Sequence, residues 1–181
     1  IYTQIPQSDP ALLAEAAEAG VADLHEALGA VTGRMLLMDP RMRPLDMKMR
    51  VAGPAVTAFN YPGDNLMMHQ ALYLATKGQV LVMANGGGHQ GALCVPVVVG
   101  GVIVNPGDIV VGDADGVLVI PPEHLAHAVK GARERKAKED GVRAKLAAGA
   151  TLYDILGIAK AIEATGAEIR ETTWLQDQAK K

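Results

Sequence analysis

Aromatic side chains are nearly missing from this 181-residue sequence: one Phe, one Trp and four Tyr, 3% of the chain. Its core therefore has to be built from Val, Ile, Leu, Met and Ala, packed by aliphatic shape rather than by ring contacts. Cysteine is almost as scarce. Cys94 alone excludes an internal disulfide and a cysteine-based metal site. Its neighbours are apolar and no base lies closer in sequence than His89, so it reads as a buried structural thiol rather than a nucleophile. Long apolar runs are lacking too, since Gly, Pro and Asp break each one short of a bilayer span, and no membrane partner is expected. No basic start followed by an apolar stretch marks a secretory signal, and the expected location is the cytoplasm. A positive excess is the last absence. Formal net charge is -3, and the basic residues of 130–145 are diluted by Glu134, Glu139 and Asp140. A nucleic-acid partner is not expected.

What is present is globular. Hydrophobic residues make up 49% and charged residues 20%, enough at this length for one domain with a real core, spanning 1–181. Asp9-Pro10 opens a helix, with Leu12, Leu13, Ala16 and Ala19 at helical spacing before Gly20. A second short helix covers 21–28 and ends at Gly29. Residues 32–44 are turn-rich and carry Arg34, Arg41 and Arg43. A strand is expected over 51–61, with Pro54 at its start, on an edge or at a bulge. Pro62-Gly-Asp-Asn65 is a turn into a helix over 66–76, capped by Asp64 or Asn65. Residues 80–83 form a short buried strand. Asn105-Pro-Gly-Asp108 and Asp113-Ala-Asp-Gly116 are turns, and the strands 109–111 and 117–120 pair as a hairpin. A long helix follows over about 123–148, then one from Thr151 over 152–163, whose Asp154 completes a capping-box pattern.

The stretch from Val80 to Pro121 joins two unlike halves. An apolar strand runs into Gly86-Gly-Gly-His-Gln-Gly91, whose backbone N–H groups can receive an anion and whose glycines let a ligand approach closely. The competing reading is a plain tight loop, and neither a P-loop nor a dinucleotide fingerprint follows. The second half is a hairpin-rich β region. Only Ala92, Leu93 and Cys94 join them, too few for a helix between. Asp113 and Asp115 can serve a hard cation or simply the tight turn, which the spacing favours. His25 with Glu26, and His69, lie on helices and read as packing residues before bases or ligands. His124 and His127 flank a helix start and read as solvated. Arg34, Arg41 and Arg43 can grip a carboxylate bidentately, against a default of surface solvation. Asp64 and Asn65 follow a strand end, where α/β proteins place ligands.

Taken in order, Gly20-Val-Ala-Asp-Leu-His-Glu-Ala27, Met42-Arg-Pro44, Ala52-Gly-Pro-Ala-Val-Thr57, Pro62-Gly-Asp-Asn65, Val80-Leu-Val-Met83, Gly86-Gly-Gly88 and Asn105-Pro-Gly-Asp-Ile-Val-Val-Gly-Asp-Ala-Asp-Gly-Val117 resemble one family. It is the 4-hydroxy-4-methyl-2-oxoglutarate/4-carboxy-4-hydroxy-2-oxoadipate aldolase family, which shares its fold with the regulator of ribonuclease activity A. The resemblance implies a swivelling ββα-type layered α/β domain with N-terminal helices and a long C-terminal helix. It implies a homo-oligomer, trimer or hexamer, with sites between subunits. It also implies a class II pyruvate aldolase that uses Mg²⁺ or Mn²⁺ on a small 2-oxo acid, with oxaloacetate decarboxylase activity in some members. The non-catalytic alternative in the same fold is a binding or regulatory protein of the ribonuclease-regulator type.

The sequence departs from that family at one place. The resemblance implies a Gly-x-x-Arg-Asp stretch carrying the metal-binding Asp and substrate-binding Arg, with a helix start beyond the glycine cluster. Here Cys94 runs straight into Val95-Pro-Val-Val-Val, so the block between is missing and the core is expected to be partly deleted near 94–95. The residues that remain for a substrate are Gly86, Gly87, Gly88, Gly91, Asp64 and Asn65. Glu139 is the counterpart of a carboxylate that the family reaches across to a neighbouring subunit for the metal. With the Arg-Asp pair absent, weak or no aldolase activity is expected of this chain.

Overall fold

A computed structural model of the chain describes residues 1–29, 36–86 and 91–178. Two compact units make it up, residues 1–136 and 137–181. In the first, Asp9 caps helix α1 (Pro10–Glu18), its carboxylate accepting the Ala11 N–H, and Pro10 takes the first turn. Helix α2 (Val21–Leu28) follows directly. Strand β1 (Val51–Asn60) runs into helix α3 (Leu66–Leu74), and strand β2 (Val80–Asn85) returns beside β1. Strand β3 is only Ala92–Leu93, and β4 (Val97–Val99) with β5 (Val102–Val104) forms a hairpin. A second hairpin is β6 (Ile109–Asp113) with β7 (Gly116–Ile120). A 3₁₀ turn over Pro122–His124 leads into helix α4 (Leu125–Ala147).

The main sheet has the order β2-β1-β6-β7, with β3 also on β1. β1 and β2 are parallel from Ala55↔Val80 to Asn60↔Asn85. β1 meets β6 antiparallel over its first four residues and β3 antiparallel at Ala58 and Phe59. Pro54 sits before the pairing with β2 begins, where one side of β1 is open, which accommodates its missing N–H.

Period-two alternation divides the core between the sheet's two faces. Ile109, Val111, Leu118 and Ile120 pack against Leu24, Leu28, Leu125 and Ala128 of the helices. Val110 and Val119 face the β4–β5 hairpin through Val97, Val102 and Val104. A third cluster joins Val56 and Ala58 to Met67, Ala71, Leu93 and Cys94. Each large aliphatic side chain so buried stabilises the fold by about 1.5–3 kcal/mol before entropy is counted.

The second unit continues α4 and adds α5 (Leu152–Ile155), α6 (Ile158–Ala164) and α7 (Trp174–Gln178). The single helix expected over 152–163 is two. Gly157 adopts φ 61°, a left-handed conformation that breaks the helix between Leu156 and Ile158. Thr151 still caps the first piece, accepting the Asp154 N–H at 3.1 Å. No described residue between 137 and 178 is buried. No helix among the described residues is long and apolar enough to cross a membrane.

Candidate functional site

The carboxyl ends of β1 and β2 lie side by side at Asn60 and Asn85, and the glycine cluster leaves from there. That is where open α/β sheets receive ligands. Gly86 donates its N–H to the Asn60 carbonyl at 3.2 Å. A Cβ on Gly86 would stand 2.4 Å from the Phe59 ring, and one on Gly91 would stand 2.4 Å from Met67 and 2.5 Å from the Phe59 carbonyl. Both glycines are therefore required by packing at the loop's two feet. Gly87 and Gly88 lie outside the described residues, as do His89 and Arg34.

Asp64 and Asn65 stand at the same end of β1, but Asp64 is engaged. Its carboxylate accepts the Leu66 N–H at 2.8 Å at the start of α3, while Asn65 holds the N-cap position without a side-chain capping bond. Sequence reasoning missed Asn60. It is 4% exposed and its Oδ1 has no hydrogen-bond partner among the described residues. A buried amide oxygen without a partner is uncommon and costly, and Asn60 is bonded through its own carbonyl to Gly86, where the glycine cluster begins. The available signal was a polar amide ending the apolar run Ala55-Val-Thr-Ala-Phe59.

The other sequence candidates are dispersed. Asp113 is bound on both oxygens: Oδ1 accepts the Asp115 N–H at 2.9 Å, and Oδ2 accepts the Val21 N–H at 2.9 Å. It thus builds its turn and also caps α2, whose own N-cap residue, Gly20, has no side chain to do so. Arg41 chelates Asp39 through Nε and Nη2 at 2.9 and 3.1 Å, which lowers the Asp39 pKa and raises that of Arg41. Arg43 instead donates to the Ala114 carbonyl at 3.3 Å, so Arg41 and Arg43 are held by different partners. His25 and His69 are exposed, and the His127 ring meets the Ala27 carbonyl at 3.2 Å. Glu139, in the second unit, stands 3.9 Å from Arg143 one helical turn on.

The seam is built as well as sharp. Cys94, at φ 50°, turns the chain from β3 toward β4. Its N–H donates to the Thr57 carbonyl at 2.8 Å, and the Thr57 hydroxyl donates to the Val95 carbonyl at 2.6 Å. Cys94 is 6% exposed, and burial raises its thiol pKa. It is a structural thiol.

A hard divalent cation needs several oxygen ligands together. Among the described residues no three His, Cys, Asp or Glu side chains are grouped to hold one, and Asp64 and Asp113 are committed to backbone N–H groups. The described residues of a single chain do not fit the Mg²⁺ or Mn²⁺ that the resemblance implies.

Fold and site together define a layered α/β protein whose glycine-rich segment follows the carboxyl end of the parallel strand β2. Residues 21–94 match the family model described as RraA-like: Aldolase/RraA. A protein of Halalkalibacterium halodurans named "Putative 4-hydroxy-4-methyl-2-oxoglutarate aldolase" is 26% identical over 171 residues, covering 65% of this chain and 80% of that protein. The aligned length far exceeds the share of this chain within it, so a block of the relative has no counterpart here. An uncharacterized protein of Methanocaldococcus jannaschii is 45% identical over 58 residues, 32% of this chain and 28% of that protein. The match thus spans less than a third of that relative's length. Among solved structures, Streptomyces coelicolor RraAS2, described as an unusual member of the RNase ES inhibitor RraA protein family, superposes with TM-score 0.66 at 20% identity. The superposition covers 77% of this chain and 99% of that one. It agrees with the mixed α/β architecture of N-terminal helices, sheet and long C-terminal helix.

Proposed function

We propose that this chain is an RraA-like protein of the pyruvate-aldolase type that holds a small 2-oxo acid at the glycine end of β1 and β2 and has weak or no aldol-cleavage activity. The observation that carries this reading is the direct passage from β3 through Cys94 to β4. It leaves Gly86 and Gly91 at the carboxyl end of β1 but supplies no Arg-Asp pair to bind the substrate carboxylate and a metal. The Asn60 Oδ1, without a hydrogen-bond partner among the described residues, supports a ligand there. Cleavage requires stabilisation of a developing enolate charge, and no described side chain at this end is placed to supply it. Homo-oligomerisation as a trimer or hexamer belongs to the same proposal. Val98 and Ile103, in register on the β4–β5 hairpin and more than half exposed, favour it.

The test measures pyruvate release from 4-hydroxy-4-methyl-2-oxoglutarate, 4-carboxy-4-hydroxy-2-oxoadipate and oxaloacetate with Mg²⁺ or Mn²⁺, alongside calorimetric titration with pyruvate and oxalate. The expected result is saturable binding with release near the uncatalysed background. Robust metal-dependent release proportional to protein concentration would overturn the weak-activity reading. Absence of binding by either acid would overturn the retained site.

The second reading, a non-catalytic regulator acting through protein contacts, is favoured by the same exposed Val98 and Ile103. Addition of the protein to an RNase E-type endonuclease would slow RNA cleavage on this reading. An unchanged cleavage rate at stoichiometric excess removes it.

A further inference from the structure

At the opposite end of β1 from the glycine loop, a cavity of about 220 Å³ opens between the segment entering β1 and the β6–β7 hairpin. Two of its lining residues are Arg43 and Arg50. Each is anchored by one donor to a main-chain carbonyl: Arg43 Nη1 to Ala114 at 3.3 Å, and Arg50 Nη2 to Ala19 at 2.5 Å. Neither guanidinium has a carboxylate partner among the described residues. Each carries five N–H donors, so most of the donor capacity of these two exposed cations has no protein partner among the described residues. The acid in the lining is Asp113, and its two oxygens already accept the Val21 and Asp115 N–H groups. The rest of the lining is apolar, with Met42, Met49 and Val51 among it. Met49 is about half exposed, at 51%, and Val51 is 42% exposed. Exposed apolar surface therefore lies beside two guanidiniums and one carboxylate, a lining of net positive charge.

The geometry points to a second binding site, for a small organic anion: a short-chain aliphatic carboxylate whose head is held by Arg43 and Arg50 and whose chain covers Met42, Met49 and Val51. A guanidinium matches a carboxylate through two parallel N–H bonds. The cavity is smaller than the roughly 300–1,000 Å³ typical of drug-sized ligands, which sets the ligand class as short. The apolar lining selects against a bare inorganic anion, which would leave it wet. This site is separate from the glycine loop, since a ten-residue strand places its two ends roughly 30 Å apart.

Ligand-observed NMR and calorimetry with hexanoate test the site, using hexylamine and inorganic phosphate as controls. Hexanoate is expected to bind saturably, hexylamine not to bind, and phosphate to bind at least about tenfold more weakly. Arg43→Gln and Arg50→Gln are each expected to weaken hexanoate at least about tenfold. Met49→Glu places an acid in a half-exposed position that the fold tolerates, and is expected to abolish binding with circular dichroism unchanged. This variant keeps the proposal open to refutation if an arginine variant fails to fold. No hexanoate binding, equal binding of hexylamine or phosphate, or hexanoate binding indifferent to Met49→Glu and to both arginine changes would each overturn it.

Discussion

Three residues make the residue-scale chemistry testable. Burial raises the Cys94 thiol pKa, so the folded state holds that proton to higher pH than the unfolded chain does. The resulting contribution to stability is complete below the ordinary thiol pKa and is lost as pH rises through the folded value. Urea midpoints should therefore fall with alkaline pH more steeply in the wild type than in Cys94→Ala. Thiol reagents at pH 8 should label the denatured chain promptly and the native one slowly. Asn60 predicts the reverse of a normal buried polar residue. Its Oδ1 has no partner to lose among the described residues, so Asn60→Leu should leave the chemical-denaturation midpoint unchanged or raise it, while weakening oxalate at the glycine end. Gly91→Ala would press a methyl group against Met67 and the Phe59 carbonyl. A loss of about 1–3 kcal/mol in unfolding free energy is expected.

At the scale of elements, the long-range cap is the informative contact. Asp113 closes its own turn and satisfies the first N–H of α2, 92 residues earlier in the chain. Asp113→Ala should cost about 1–2 kcal/mol, and amide exchange should rise both at the β6–β7 turn and at Val21. The turn itself was legible from Asp-Ala-Asp-Gly, and so were the helix starts at Asp9 and Thr151, because their causes are local. The cap on α2 was not legible, since Gly20 offers no side chain and its partner is distant in sequence. Gly157 was missed for a related reason: the apolar spacing continues across it, and only its left-handed backbone divides α5 from α6. Of the candidate site, the place of Gly86 directly after β2 could be read from the apolar run before it. The grouping of Arg43 with Arg50 rather than Arg41 could not, because Arg41 is taken by Asp39, two residues away.

For the whole molecule, the contrast between the two units sets the expectation. Residues 1–136 contain every buried hydrophobic residue described, whereas 137–178 contain none. A chain ending after Ala148 should therefore retain the thermal transition of the first unit within about 2 °C, since residues 149–178 contribute no buried side chain of their own. Circular dichroism melts of the two lengths check this, and a large fall in midpoint would show that the second unit supports the first. The fold as a whole was legible because the strand and helix patterns on either side of the seam are intact. What the sequence did not reveal was how the chain would close over the missing block.

That closure has a kinetic consequence. Between the β6 pairing and the β3 pairing, β1 would expose bare peptide groups along one edge. Ala55 is instead bonded by both Gly107 and Asp108, and Thr57 receives the Cys94 N–H. The Ala55 and Cys94 amides belong to the same ladder as the central strands. They should exchange hydrogen with solvent only when the whole unit opens, with protection equal to that of Val110 and Val119. The junction is then a member of the cooperative folding unit, and no local fraying route begins there.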